Sequence, residues 1–191
     1  MVARARGAAG PDDAELVRRA RGGDQWAHEA IFRRYVKDVA RIAERLLRRR
    51  SDADDVVQDT FAAALTSLDR LEDPAALRSW LIGIAVFRVK RRHRTAGFLR
   101  MLGLDRGLDD ATLSVLASDE ASPEARAELR LVEQALASLS QDERIAWMLR
   151  HVEGEKLEDV AAMTGCSLAT AKRRIASADA RVRRHVEGRA R

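Results

Sequence analysis

A chain of 191 residues with 46% hydrophobic content can bury one or two modest cores, and with aromatics at only 4% those cores must be built from Leu, Val, Ile and Ala. Lys and Arg number 35 against 30 Asp and Glu, a formal net charge of +5, so basic character is local rather than general. The single cysteine, Cys166, excludes an intramolecular disulfide and a Cys-cluster zinc site, the four histidines are scattered, and no apolar run reaches the length of a membrane span. A soluble cytoplasmic protein without cofactor, metal or membrane insertion is the expectation.

Residues 1–11, MVARARGAAGP, are mostly Ala, Arg and Gly without an acid, and read as a disordered arm. From there the chain turns helical. Asp12 or Asp13 can cap a first helix with Leu16, Val17 and Ala20 as its apolar stripe, ended by Gly22 and Gly23. Asp24 caps a second, whose buried side is Phe32, Tyr35, Val39, Ile42 and Leu46 and whose C-terminal end is closed by Arg48, Arg49 and Arg50, where the helix dipole favours cations.

The stretch SDADDVVQDTF follows, with Ser51 as candidate N-cap and Asp52, Asp54 and Asp55 in the first turn, where negative charge is favoured. Asp59 falls outside that explanation. It lies four residues beyond Asp55, and like charges at that spacing cost a few tenths of a kcal/mol. At about 100° per residue Asp52, Asp55 and Asp59 share one side, and Val57, Phe61, Leu65 and Leu68 lie opposite, predicting burial there. The acidic side is either a solvated face or a surface for a basic partner.

In DRLEDPAAL, Asp73 can cap and Pro74 can take the first helical position of a helix starting at Ala75. Leu77, Trp80, Leu81 and Ile84 would face the core, and Gly83 in the helix interior costs about 1 kcal/mol relative to alanine. Arg88, Lys90, Arg91, Arg92 and Arg94 point nearly all round the helix, making its end a solvated terminus or a phosphate clamp. Residues 95–122 lose periodicity, gain glycine and turn acidic, the marks of a linker, with Phe98, Leu99, Met101, Leu102 and Leu104 as a short packed segment near its start.

Ser122-Pro123 opens a second helical unit with Leu129, Val132 and Leu136 as a stripe. Ser140 and Glu143 form a capping box for a helix carrying Ile145, Met148, Leu149 and Val152, ended by Gly154. Then small Ala161, turn residue Gly165 and cap residue Ser167 give a helix-turn-helix spacing. The last helix sets Leu168, Ala171, Ile175, Ala178, Val182 and Val186 on one side and Thr170, Arg173, Arg174, Ser177, Arg181 and Arg184 on the other. Such a helix, after that turn spacing, fits a major groove, with its N-terminal residues at base edges and later arginines on phosphates; the alternative is a solvated amphipathic helix closing a bundle. The expected fold is all-α: two small helical domains, 12–94 and 123–187, joined by a flexible linker, 95–122, the C-terminal domain a helix-turn-helix. No phosphate-cradling glycine loop, nucleophile motif or metal-ligand spacing points to an enzyme.

Taken in order, DADDVVQDTF, then RSWLIGIA with its basic tail, then the terminal helix-turn-helix resemble the extracytoplasmic-function group of bacterial RNA polymerase sigma factors, over nearly all of Asp12 to Val186. The resemblance implies that Asp52, Asp55, Gln58 and Asp59 bind core polymerase, at the clamp helices of the largest subunit, with the flap as a further partner surface. It implies promoter DNA contacts at the minus-ten element by the loop residues Asp69, Leu71, Glu72 and Asp73, which would capture a flipped base, and by Trp80, Arg88, Lys90, Arg91, Arg92 and Arg94. It places the minus-thirty-five element on Ser167, Ala169, Thr170, Lys172, Arg173, Arg174, Ser177 and Arg181, and makes a separate anti-sigma factor the expected regulator. Family members often carry Arg-Asn where this chain has Val86-Phe87, and a Val where it has Ala171. The alternative is a helix-turn-helix regulator that binds duplex DNA without being a polymerase subunit.

Overall fold

The computed structural model describes residues 11–47, 50–101 and 122–189, which form helices and turns with no strand among them. The proposed arm up to residue 10, Arg48 and Arg49, and the linker positions Leu102 and Leu104 lie outside the described residues. No helix among the described residues is long and apolar enough to cross a membrane.

The first domain is built from α1 (Asp13–Arg21), α2 (Gln25–Leu46), α3 (Arg50–Thr66) and α4 (Leu77–Met101). Local signals set its first two helix starts: the Asp12 carboxylate accepts from the Glu15 amide at 2.8 Å, and that of Asp24 accepts from Trp26 at 2.9 Å. Leu16, Val17 and Ala20 are buried, as their spacing predicts. On α2, Tyr35, Val39, Ile42 and Leu46 are buried as their spacing predicts, but Ile31 takes the core place expected for Phe32, which is 43% exposed and lies edge-on to Phe61, ring centroids 4.8 Å apart.

Two expectations for α3 are corrected. It begins at Arg50, so Ser51 lies inside the helix and is not its cap, and Arg50 opens this helix rather than closing the previous one. Its buried residues are Ala53, Val56, Thr60, Phe61 and Ala64, with Val57 and Leu65 only half-buried. Phe61 and Leu68 are thus buried as expected, but the packed face is rotated away from Val57 and Leu65 because small Ala53, Thr60 and Ala64 let α2 and α4 approach. Thr60 is tolerated there by donating its hydroxyl to the Val56 carbonyl at 2.6 Å.

Asp73 caps a 3-10 turn, Pro74–Ala76, accepting from the Ala75 amide at 2.9 Å, and α4 starts just after it. Leu77, Leu81, Ile82, Ala85, Val86 and Val89 form its core side, each large side chain worth about 1.5–3 kcal/mol of burial. Trp80 and Ile84, expected in the core, sit half-buried at its edge. The helix continues to Met101, into the stretch read as linker.

The second domain contains α5 (Pro123–Ala137), α6 (Gln141–Trp147), a π-helical turn (Met148–Val152), α7 (Leu157–Thr164) and α8 (Leu168–Arg189). The Ser140–Glu143 capping box forms in full. Gly165 turns the chain between α7 and α8 at φ 66°, a left-handed conformation that a Cβ would strain. Ala171, Ile175 and Ala178 bury one side of α8, whereas Leu168 is exposed rather than packed.

The domains pack together along α4 and α7, so closely that a methyl group at Gly83 would lie 3.6 Å from the Met163 Cα, an ordinary van der Waals contact. Complementary charge surrounds that contact. Glu153, its side chain 4% exposed, is clasped by Arg41 at 3.0 Å and by Arg45; Glu155 takes Arg78 at 2.5 Å, and Arg78 also reaches Asp38 at 3.1 Å. Arg144 donates back to the Leu46 carbonyl at 3.2 Å.

Candidate polymerase and nucleic-acid interfaces

On α3 the residues opposite the packed face are Asp55, Gln58 and Asp59, all exposed, with Asp54 beside them and Asp52 half-buried. The row faces outward because Ala53, Val56 and Thr60 fix the helix's rotation. Arg92 of α4 reaches across to it, with Nη2 3.0 Å from Asp52 and 2.7 Å from Asp55. Burial works against the charge on Arg92, but hydrogen bonding to Asp55 and the charges of both carboxylates outweigh it and raise its pKa. Arg92, grouped by sequence with the minus-ten residues, thus links α4 to the carboxylate row.

The loop after α3 is held from below. Arg21 donates to the carbonyl of Leu68 at 3.2 Å and to that of Leu71, and Leu71 is 3% exposed. Leu71 therefore anchors the loop in the core and has no surface left for a base, while Asp69, Glu72 and Asp73 are exposed around it. Trp80, Arg88, Lys90 and Arg94 line a cavity of about 1190 Å³ between the two domains, together with Glu72 and Asp73. Arg91 is exposed on the same helix. Lys90 is already engaged: its ammonium meets Asp142 at 2.8 Å and donates to the Thr164 carbonyl at 3.1 Å.

In α8, Ser167 caps by accepting from the Thr170 amide at 3.2 Å, and its hydroxyl donates to that of Thr170 at 2.9 Å. Ala169, Lys172 and Arg173 are exposed at the first turns, where a groove would meet them. The rest of the polar side is divided. Arg174 pairs with Asp142, Ser177 donates to Glu143 at 2.6 Å, and Arg181 stands 3.7 Å from the same Glu143. Hydrogen bonds from Ser140 first and Ser177 second hold the Glu143 carboxyl down to about 2. Arg174 and Ser177, expected on the groove-facing side, thus face α6 in this structure. Asp142, Glu153, Glu155, Arg41, Arg45 and Arg78 carry the domain contact and were not singled out by sequence, because their partners lie far along the chain.

Two family descriptions match the chain in this order: Sigma-70 region 2 over residues 31–98, and Sigma-70, region 4 over residues 129–178. RNA polymerase sigma factor NccH of Alcaligenes xylosoxydans is 32% identical over 174 residues, 89% of this chain and 92% of that protein. The ECF RNA polymerase sigma-E factor of Haemophilus influenzae is 32% identical over 170 residues, 85% of this chain and 89% of that one. The solved structure of CnrH in complex with the cytosolic domain of CnrY superposes with a TM-score of 0.65 at 26% identity, covering 92% of this chain and 97% of that one. Similarity through both regions at once displaces the stand-alone helix-turn-helix regulator.

Proposed function

The chain belongs to the extracytoplasmic-function group of RNA polymerase sigma factors, and we propose that it divides promoter-specific transcription initiation among three surfaces. Asp52, Asp55, Gln58 and Asp59 on α3 dock on a basic face of core polymerase, at the clamp helices of the largest subunit. The exposed loop residues Asp69, Glu72 and Asp73 receive a flipped base of the minus-ten element, and Trp80, Arg88, Lys90, Arg91 and Arg94 grip the strand. Lys172 and Arg173, with Ala169 and Thr170 beside them, read the minus-thirty-five element; Arg174, Ser177 and Arg181 join them once released from α6. The protein acts in the cytoplasm as a non-catalytic subunit.

The observation that carries this reading is the outward carboxylate row. Exposed like charges at helical spacing repel one another, and a basic partner turns that cost into complementarity. A relative, CnrH, has been solved with the cytosolic domain of CnrY, which supports a separate protein partner for this chain too, and an anti-sigma factor is the one proposed. The test is charge reversal, Asp55→Lys with Asp59→Lys. Asp59 is exposed and Asp55 gives up only its part-exposed pair with Arg92, so stability should fall by about 1 kcal/mol at most from losing that pair, while binding to core polymerase falls more than tenfold and run-off transcription with it. Full retention of core binding would exclude the docking surface.

A further inference from the structure

Three aromatic side chains are largely exposed among the described residues: Trp26 at 48%, Phe32 at 43% and Phe87 at 55%. The first two have companions, Trp26 beneath the Arg19 guanidinium at 4.7 Å and Phe32 edge-on to Phe61. Phe87 has neither a ring nor a cation over it among the described residues, and it lines the cavity between the domains. Seven residues from Trp80, it falls on the same face of α4, two turns or about 10.5 Å along the axis. That separation spans about three nucleotide steps at 3.4 Å each. Farther along the same face come Arg91 and Arg94, and Arg88 flanks Phe87. Flat apolar surface followed by guanidinium groups is the composition that single-stranded nucleic acid selects: bases on the rings, phosphates on the cations.

We propose that Phe87 stacks on an unpaired base of the minus-ten strand, a role that rests on the assignment of α4 to that element. A phenyl ring offers no hydrogen bond to a base edge. At the position it covers, the promoter is therefore read by stacking strength and not by base identity, with purines favoured and no single base required. Trp80 and Phe87 bracket the bases between them, and Arg91 and Arg94 fix the strand's direction along the helix.

The experiment uses the full chain bound to its cognate core polymerase. A single-stranded DNA library with a randomised ten-nucleotide segment is selected on this holoenzyme, and the recovered strand, fluorescein-labelled, is titrated against wild type, Phe87→Ala and Phe87→Trp. Phe87→Ala should bind about 5- to 150-fold more weakly, the range for losing one base–aromatic stack, and Phe87→Trp at least as tightly as wild type. An abasic site is then walked along the strand. At one position it should erase the difference between wild type and Phe87→Ala, and there all four bases should be recovered in the selection. Equal binding by wild type and Phe87→Ala, or a loss that no abasic position erases, overturns the role of Phe87 while leaving the minus-ten assignment standing. Failure of wild-type holoenzyme to recover any strand better than core alone removes that assignment, and the inference with it.

Discussion

The Lys90 ammonium meets Asp142 at 2.8 Å across the boundary between the two domains. Asp142 uses its other oxygen for Arg174 of α8, so a single carboxylate holds one cation assigned to each promoter element. On the proposed assignment, promoter DNA would compete with this contact for the same two cations.

Replacing Asp142 with asparagine should therefore strengthen DNA binding by the free chain. These pairs are partly exposed, so each is worth about 0.2–1 kcal/mol, and the expected gain from releasing both is about 2- to 30-fold in fluorescence anisotropy at low salt. An Asp142→Asn protein with wild-type affinity would show that the contact does not compete with DNA.

Glu153 and Glu155 differ from Asp142 in being nearly enclosed, at 4% and 10% side-chain exposure, between Arg41, Arg45 and Arg78. Charge-assisted hydrogen bonds of this kind contribute about 1.5–3 kcal/mol, less here because the arginines can rehydrate. The double variant Glu153→Gln, Glu155→Gln should separate the domains. Energy transfer between dyes on the exposed positions Glu29 and Arg183 is the measurement; an unchanged distance would mean that the apolar contact of α4 with α7 suffices.

The caps at Asp12, Asp24, Ser140 and Ser167 and the left-handed turn at Gly165 were legible because each is a bond or dihedral within a few residues. The helix-turn-helix follows from them. The rotation of α3 was not legible, since Ala53, Thr60 and Ala64 carry little hydrophobic signal and are buried by what packs on them. Nor was the division of the arginines. Arg92 and Arg94 look alike in sequence, and only the fold brings Asp52 and Asp55 to the first of them.

That difference can be measured. Arg94→Ala should weaken binding of the holoenzyme to the minus-ten strand and make its salt dependence shallower by about one unit of slope, as a phosphate contact does. Arg92→Ala should leave the strand nearly untouched. Instead it should show coupling with Asp55→Ala in a double-mutant cycle on thermal stability, small at about 0.2–1 kcal/mol because both groups are partly exposed. A salt slope that changes equally in both variants would return Arg92 to the strand-binding set.

Glu143 gives the second domain a defined acid response. Its carboxyl has a folded-state pKa of about 2 against an ordinary 4.5, held there by the hydroxyls of Ser140 and Ser177, then by the Ser140 amide and Arg181. A lowered folded-state pKa means that the stabilisation is fully present above about pH 4.5 and drains away as the pH falls towards 2. Protonation removes an acceptor from the α6 cap and from α8 at once, loosening the joint that sets the recognition helix on its scaffold. Wild type should therefore exceed Glu143→Gln in urea-unfolding stability at pH 6, and the gap should narrow steadily through this window. A gap that stays constant down to pH 2.5 would assign the effect of the substitution to packing and not to the charge.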